Sequence, residues 1–331
     1  MQPAALPMDD RIPVHVLTGF LGSGKTTFLR HLLGDPGFSD TAVVINEFGE
    51  VGLDHLLVRE VSEDAVLLSS GCLCCAVRDD LISTLSDLAA MMRHGQVPPF
   101  RRVVIETTGL ADPAPIMQAV MSDLQLRRSY RAGTVVTTVD GVSGTSSIAG
   151  FAEAAQQVAL ADCIVVTKSD LVEPWRLDAL GLEIGKINPA VRRLVSGKAG
   201  MPETGDIFEQ AAGLQPRHAV VFGVPAVRHS AGIETFTVDV PEEVEWPVFI
   251  DWLELLLSGR GLSILRVKGL LPVAGDARPV VIHGVQHVVY PPEYLPAWPD
   301  GVRRGWLVFI ARDLTATAIE NSLREILALP D

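Results

Sequence analysis

Two groups of residues in this chain could do chemistry, and the chemistries differ. Gly19-Phe20-Leu21-Gly22-Ser23-Gly24-Lys25-Thr26 fits the spacing G-x-x-x-x-G-K-[ST] at every fixed position. Glycines there let the backbone curl until several N–H groups face one phosphate, and a helix opening at Lys25 adds its positive end. Lys25 would reach the β- and γ-phosphates, and the Thr26 hydroxyl would bind Mg²⁺, with Thr27 next on the same turn. Further on, three of the four cysteines fall in the run Gly71-Cys72-Leu73-Cys74-Cys75. Thiolates are soft ligands suited to Zn²⁺, and Cys72, Cys74 and Cys75 would leave a tetrahedral ion one ligand short. Such an incomplete set suits transfer better than permanent binding. Buried small side chains and a redox pair are the competing readings of the same run. Cys163 stands alone in an apolar segment and reads as core.

Other segments complete the nucleotide reading. Val103-Val104-Ile105-Glu106-Thr107-Thr108-Gly109 reads as a strand ending in a carboxylate. Glu106 could hold Mg²⁺ or its waters, and Gly109 would let the backbone turn toward a γ-phosphate. The alternative for Glu106 is a strand-end side chain in solvent. Thr167-Lys168-Ser169-Asp170 follows another apolar run. The Asp170 carboxylate can accept hydrogen bonds that guanine offers and adenine does not, while the Lys168 stem covers the base. Thr167 stands where the usual guanine motif has Asn. Ser196, in Val195-Ser196-Gly197-Lys198, could supply a backbone contact to the guanine carbonyl. Asn46–Asp54 carries Glu47, Glu50 and Asp54 among glycines, which suits a switch holding Mg²⁺ or a transition metal, though an ordinary acidic loop reads similarly.

These segments require a scaffold. Ile12–Leu17, Ala42–Ile45, Ala65–Leu68, Val103–Ile105, Val135–Val139 and Cys163–Val166 are nearly continuous apolar runs, as expected of parallel strands covered on both faces. Helical patterns near Thr26–Leu33, Asp80–Met92, Ala114–Met121, Phe151–Leu160 and Trp175–Ile187 alternate with them. The alternation predicts a doubly wound, mainly parallel α/β sheet of the P-loop NTPase type over residues 1–215. Residues 216–231, rich in Pro and Gly with His218 and His229, read as a linker or edge segment. From 232 to 331, Glu234–Val240, Leu262–Lys268, Val280–His283, Gln286–Tyr290 and Gly305–Ile310 read as strands. Pro247–Leu257 and Thr317–Leu327 read as helices. Strands so closely spaced must pair antiparallel, which predicts a smaller α+β domain.

At 331 residues with 48% hydrophobic and 20% charged residues, the chain has material for two cores. Its net charge of −13 argues against nucleic acid and anionic membrane surfaces as partners. No apolar run approaches membrane-spanning length, and residues 1–10 lack the profile of a secretion signal, so a cytoplasmic location is expected. Thiols stay reduced there, which favours metal or redox chemistry over disulfides.

Taken together, Gly19–Thr27, Asn46–Asp54, Gly71–Cys75, Glu106–Gly109 and Thr167–Asp170 resemble the CobW family of P-loop GTPases. Arg266-Val267-Lys268-Gly269 and His283-Gly284-Val285-Gln286 are similar to its C-terminal domain. The resemblance implies slow, Mg²⁺-dependent hydrolysis of GTP to GDP. It also implies a metallochaperone that delivers Zn²⁺, or Co²⁺ or a similar metal, to a client metalloprotein. It places zinc at Cys72, Cys74 and Cys75 near the switches, gives Lys25, Glu47 and Glu106 catalytic roles and is compatible with a homodimer. Two histidines in 216–232 argue against a high-capacity metal buffer. A GTP-dependent activator or insertion factor for one metalloenzyme or a cobalamin pathway, and a zinc or thiol sensor with little turnover, are the rival functions.

Overall fold

The computed structural model describes residues 10–45, 66–69, 77–197, 200, 202–208, 227–228, 232–240, 243–299 and 301–327. Cys72, Cys74, Cys75, Glu47, Asp54, Lys198, His218 and His229 lie outside the described residues.

The first layer system is a seven-stranded sheet. In chain order its strands are β1 (Ile12–Gly19), β2 (Thr41–Ile45), β3 (Val66–Ser69), β4 (Arg102–Glu106), β5 (Tyr130–Asp140), β6 (Cys163–Thr167) and β7 (Arg192–Val195). They lie in the order β3-β2-β4-β1-β5-β6-β7, and every pairing is parallel. The helices that cross over between them are α1 (Lys25–Leu33), α2 (Val77–Arg93), α3 (Ala114–Ser122), α4 (Gly144–Gly150), α5 (Ala152–Leu160) and α6 (Pro174–Ile187). With β1 flanked by β4 and β5, chain connections leave it in opposite directions, and the crevice at its carboxyl end is where open α/β sheets bind ligands. Helix α4 was not expected from the sequence. Its Gly, Ser and Thr residues have weak helix propensity, and buried Gly144 and Ile148 hold it in place. A short helix α7 (Thr204–Phe208) follows β7.

In the second system every pairing between named strands is antiparallel. Its strands are β8 (Val227–Arg228), β9 (Ile233–Val240), β10 (Ile264–Pro272), β11 (Pro279–Val285), β12 (Val288–Val289), β13 (Glu293–Tyr294) and β14 (Gly305–Arg312). Their order is β12-β11-β10-β14-β9-β8, with β13 beside β11. Helices α8 (Trp246–Arg260) and α9 (Ala316–Leu327) complete it. The alternation of β9 sorts its side chains as period two requires. Phe236 and Val238 pack with Phe249, Leu253 and Ile319 beneath the helices, while Ile233 faces the first system. Of the segment expected to link the domains, Val227–Arg228 is an edge strand paired with β9.

Two strand readings need correction. Leu262 is 78% exposed and lies in the turn before β10, which starts at Ile264 and runs on to Pro272. The expected strand over Gln286–Tyr290 begins with a two-residue hairpin turn, because Val285 pairs with Val288. Gln286 adopts φ 48°, a conformation that such turns normally give to glycine.

The two systems share an apolar core in which Val158, Leu160, Ile184 and Ile187 meet Ile233, Leu265, Val285 and Ile310. Polar links cross the same boundary. Arg266 donates to the Leu160 carbonyl and pairs with Asp162, Lys268 reaches Asp162 at 3.2 Å, and the Thr235 hydroxyl donates to the Ile187 carbonyl at 2.6 Å. Among the described residues no helix is long and apolar enough to cross a membrane.

Burial next to these cations sets an acid limit on the fold. His15 and His283 are both lowered to about 3, by desolvation first and then by Arg102 and Arg131 for His15, and by Lys268 and Arg266 for His283. An unfolded histidine protonates near pH 6.5. Between that pH and about 3 the unfolded chain therefore binds more protons, and stability falls as pH falls. The melting temperature is expected to drop steadily on acidification from about pH 6.5 to about pH 4. His283→Gln should flatten that slope; an unchanged slope in the variant would show that His283 does not carry it.

Candidate functional site

At the carboxyl end of β1 the chain turns through Phe20–Gly24 into α1. Gly22 and Gly24 hold φ of 71° and 88°. Gly19 has φ 146°, and a Cβ there would sit 2.4 Å from the Thr138 carbonyl oxygen, so only glycine permits this approach to β5. Helix α1 begins without a side-chain cap and without an acidic residue in its first turn. Its leading N–H groups are thus available to an anion. Lys25 Nζ lies over the loop, donating to the Gly19 carbonyl at 2.8 Å and the Phe20 carbonyl at 3.3 Å. Thr27 lies on the exposed side of α1.

Register brings the second motif alongside. Leu17 of β1 pairs with Glu106 of β4, so the Glu106 carboxylate arrives beside the start of α1. Thr26 Oγ1 donates to Glu106 Oε1 at 3.0 Å, and Glu106 is only 5% exposed. A hydroxyl and a buried carboxylate meeting beside an uncapped helix start form a hard-oxygen donor pair that fits Mg²⁺ at a bound phosphate. Thr107 ties the following loop to β1 through its N–H to the Leu17 carbonyl at 2.9 Å and its hydroxyl to Thr18 at 2.9 Å. Gly109 then passes so close to the phosphate loop that a Cβ would lie 2.9 Å from the Leu21 Cα.

The turn Thr167–Asp170 is fastened to the same place. Thr167 Oγ1 donates to the Ser23 carbonyl at 2.7 Å, so the residue in the Asn position still clamps this loop to the phosphate loop. Lys168, at φ 54°, stretches its ammonium to the Gly22 carbonyl at 2.8 Å and to Asp140 Oδ2 at 2.7 Å. Burial alone would raise the Asp140 carboxyl, yet Lys168 and the Val142 and Ser143 N–H groups hold it below the usual range. Asp170 is exposed in the adjoining turn. The Ser196 carbonyl accepts from the Ser169 hydroxyl at 2.8 Å, which seats the end of β7 beside that turn.

The structure therefore brings together Gly19–Thr26, Glu106, Gly109, Thr167–Asp170 and Ser196. Sequence reasoning passed over Asp140, Thr138, Gln157 and Asp112. Asp140 had a signal, a carboxylate closing a buried strand immediately before Gly141. The others had none. Gln157, 1% exposed, donates to the Gly109 carbonyl at 3.2 Å and the Ala111 carbonyl at 3.0 Å. Asp112 accepts from Gln156 at 2.7 Å and, across the boundary, from Gln286 at 3.3 Å. Arg312 also donates to Gln156 at 3.0 Å. Among the described residues no group of three or more His, Cys, Asp or Glu could hold a metal ion.

Comparison with known proteins gives the family. The nucleotide-binding domain described as CobW/HypB/UreG matches residues 13–194, and the cobalamin synthesis protein cobW C-terminal domain matches 233–327. The zinc chaperone YjiA of Escherichia coli is 33% identical over 307 residues, covering 92% of this chain and 95% of the relative. The zinc chaperone CobW of Pseudomonas aeruginosa is 30% identical, covering 98% of this chain and 94% of its own. The crystal structure of zinc-bound YjiA GTPase from E. coli superposes with a TM-score of 0.69 at 26% identity, covering 96% of this chain and 99% of that one. With both domain profiles matched in order, the chain belongs to the CobW family, carrying the CobW/HypB/UreG nucleotide-binding domain followed by the CobW C-terminal domain.

Proposed function

We propose that this protein is a GTPase metallochaperone in which the nucleotide state governs zinc held by Cys72, Cys74 and Cys75. The observation that carries the reading is the Thr26–Glu106 pair beside the uncapped start of α1. Names of relatives add the cargo, since YjiA and CobW are both zinc chaperones.

In this reading the loop N–H groups and Lys25 take the phosphates, and Thr26 and Glu106 hold Mg²⁺, joined from the switch stretch by Glu47 or Asp54. Bound Mg²⁺ supplies neutralising charge to the phosphates. Asp170 and Lys168 hold guanine, with Ser196 fixing the turn that carries Asp170. Gly109 lies where it senses the γ-phosphate. From there Gln157 grips the following loop, and Asp112 passes its position to Gln286 and, through Gln156, to Arg312 in the C-terminal sheet. That chain of contacts gives hydrolysis a physical route to the rest of the molecule. Zinc is cargo on three thiolates, and the client metalloprotein supplies the missing ligand.

Zinc titration in the presence of Mg²⁺ with a non-hydrolysable GTP analogue, and separately with GDP, tests the coupling. Affinity is expected to be about tenfold or more higher with the analogue, and the Cys72→Ser/Cys74→Ser/Cys75→Ser variant should lose the nucleotide-dependent site. Equal zinc affinity in the two nucleotide states would sink the coupling.

A further inference from the structure

A cavity of about 770 Å³ lies between the two domains at the amino ends of β1 and β5. The nucleotide site occupies the carboxyl end of β1, roughly 20 Å away at the usual rise per strand residue. Nothing in the nucleotide reading uses this cavity. Its lining departs from the acidic character of the protein, which carries a net charge of −13. Five arginines face four carboxylates there. Two of the four carboxylates are already engaged. Asp40 pairs with Arg102 at 3.4 Å and Arg101 at 3.9 Å, and Asp162 with Arg266 and Lys268.

Arg131, His15 and Tyr290 each present a donor to the cavity that finds no acceptor among the described residues. The Arg131 guanidinium makes no hydrogen bond or ion pair with any described residue, and its Nε is buried. His15 is 3% exposed, and its Nδ1 accepts from the Thr134 backbone N–H at 2.9 Å. An imidazole accepting at Nδ1 carries its proton on Nε2. That Nε2–H finds no partner among the described residues, and neither does the Tyr290 hydroxyl on the opposite wall. Arg131 pairs in register with Pro13 on β1, two residues before His15, and both side chains line the cavity. A buried N–H without an acceptor, as at Arg131 Nε, is costly, and a guanidinium fork matches the geometry of a carboxylate or phosphate. Glu293 lies within electrostatic reach of Arg131 yet forms no ion pair with it. The volume exceeds what a lone inorganic ion needs and falls in the range of small-metabolite pockets.

We propose that this interdomain cavity is a second ligand site, distinct from the nucleotide site, which takes a small organic oxyanion on Arg131 and the His15 Nε2–H. A ligand seated there touches β1 and β5 of one domain and β11 of the other, so its occupancy bears on how the domains sit together.

Isothermal titration calorimetry on the full chain with inorganic phosphate, glucose 6-phosphate and citrate tests this, and the three probes separate phosphate from carboxylate recognition. At least one organic probe is expected to bind the wild type. Arg131→Gln should weaken it by about tenfold or more, the loss of a charged hydrogen-bonding partner. Glu293→Gln should tighten it severalfold by removing the like charge, and this arm decides the matter if Arg131→Gln fails to fold. Lys25→Ala should bind the same probe as the wild type does. No heat with either organic probe, an affinity indifferent to both Arg131→Gln and Glu293→Gln, or binding lost in Lys25→Ala would overturn the proposal.

Discussion

Lys25→Ala is expected to cut the rate of GTP hydrolysis by about a hundred- to a thousandfold, the range for one preorganised donor removed from developing charge. In the structure Lys25 Nζ sits on the Gly19 and Phe20 carbonyls, 2.8 and 3.3 Å away, at the rim of the loop. A phosphate seated on the N–H groups of α1 would lie against that ammonium and exchange two weak carbonyl contacts for an ionic one. The measurement is steady-state phosphate release under saturating GTP and Mg²⁺, with GDP binding followed separately. If charge stabilisation is the role of Lys25, kcat falls more than GDP affinity does. A rise in KM with kcat unchanged would instead mean that Lys25 only holds the ground state. Hydrolysis within about twofold of wild type would remove Lys25 from the mechanism altogether.

Arg266→Ala is expected to be the most destabilising single change at the domain boundary, costing about 3 kcal/mol or more, as when one partner of a buried ion pair is deleted. Arg266 is 4% exposed, caps the carboxyl end of α5 at the Leu160 carbonyl and pairs with Asp162. Despite the cost of burial, Arg266 first and Lys268 next hold the Asp162 carboxyl far below the usual carboxylate range. Removing Arg266 leaves Asp162 with Lys268 and the Val135 N–H, and takes the Arg266 donor from the Leu160 carbonyl while Asn188 still serves Val158 and Ala159. Since the Asp162 pKa is depressed, its share of stability is present above about pH 4 and is lost as pH falls below that. Urea unfolding of Arg266→Ala should therefore show its full deficit near neutral pH and a smaller deficit in acid. The triple variant Asp162→Asn/Arg266→Met/Lys268→Met should recover part of the loss, because all three members of the buried charge cluster are then removed together. A deficit that stays constant down to low pH would show that packing of the Arg266 stem, not the pair, carries the effect.

Much of this could be read before any coordinates, for reasons that differ by residue. Cys163–Val166 is apolar without interruption and Ile12–Leu17 is broken only by His15, and such runs, separated by amphipathic helices, favour a parallel sheet covered on both faces. Gly22 and Gly24 were legible because the left-handed conformations they hold are ones other residues adopt at a cost. The hairpin at Gln286–His287 was not legible, since a glutamine carries no turn signal. Its amide reaches Asp112 from 174 residues away, and no local pattern encodes that distance. The same holds for Arg131, which reads as an ordinary strand residue until the C-terminal sheet closes the cavity around it.

By itself the sequence determined the phosphate loop, the alternation of the six main strands with their larger helices in the first domain, and the three clustered thiols. All of these are set by short spacings in which each residue's chemistry acts on near neighbours. Only the tertiary structure decided that Thr26 meets Glu106, that Thr167 anchors to Ser23 and that Asp112 faces Gln286. It also decided that a cation-rich cavity lies behind the sheet. Those meetings depend on which strands become neighbours, and strand neighbours are chosen by burial of whole faces rather than by any one side chain.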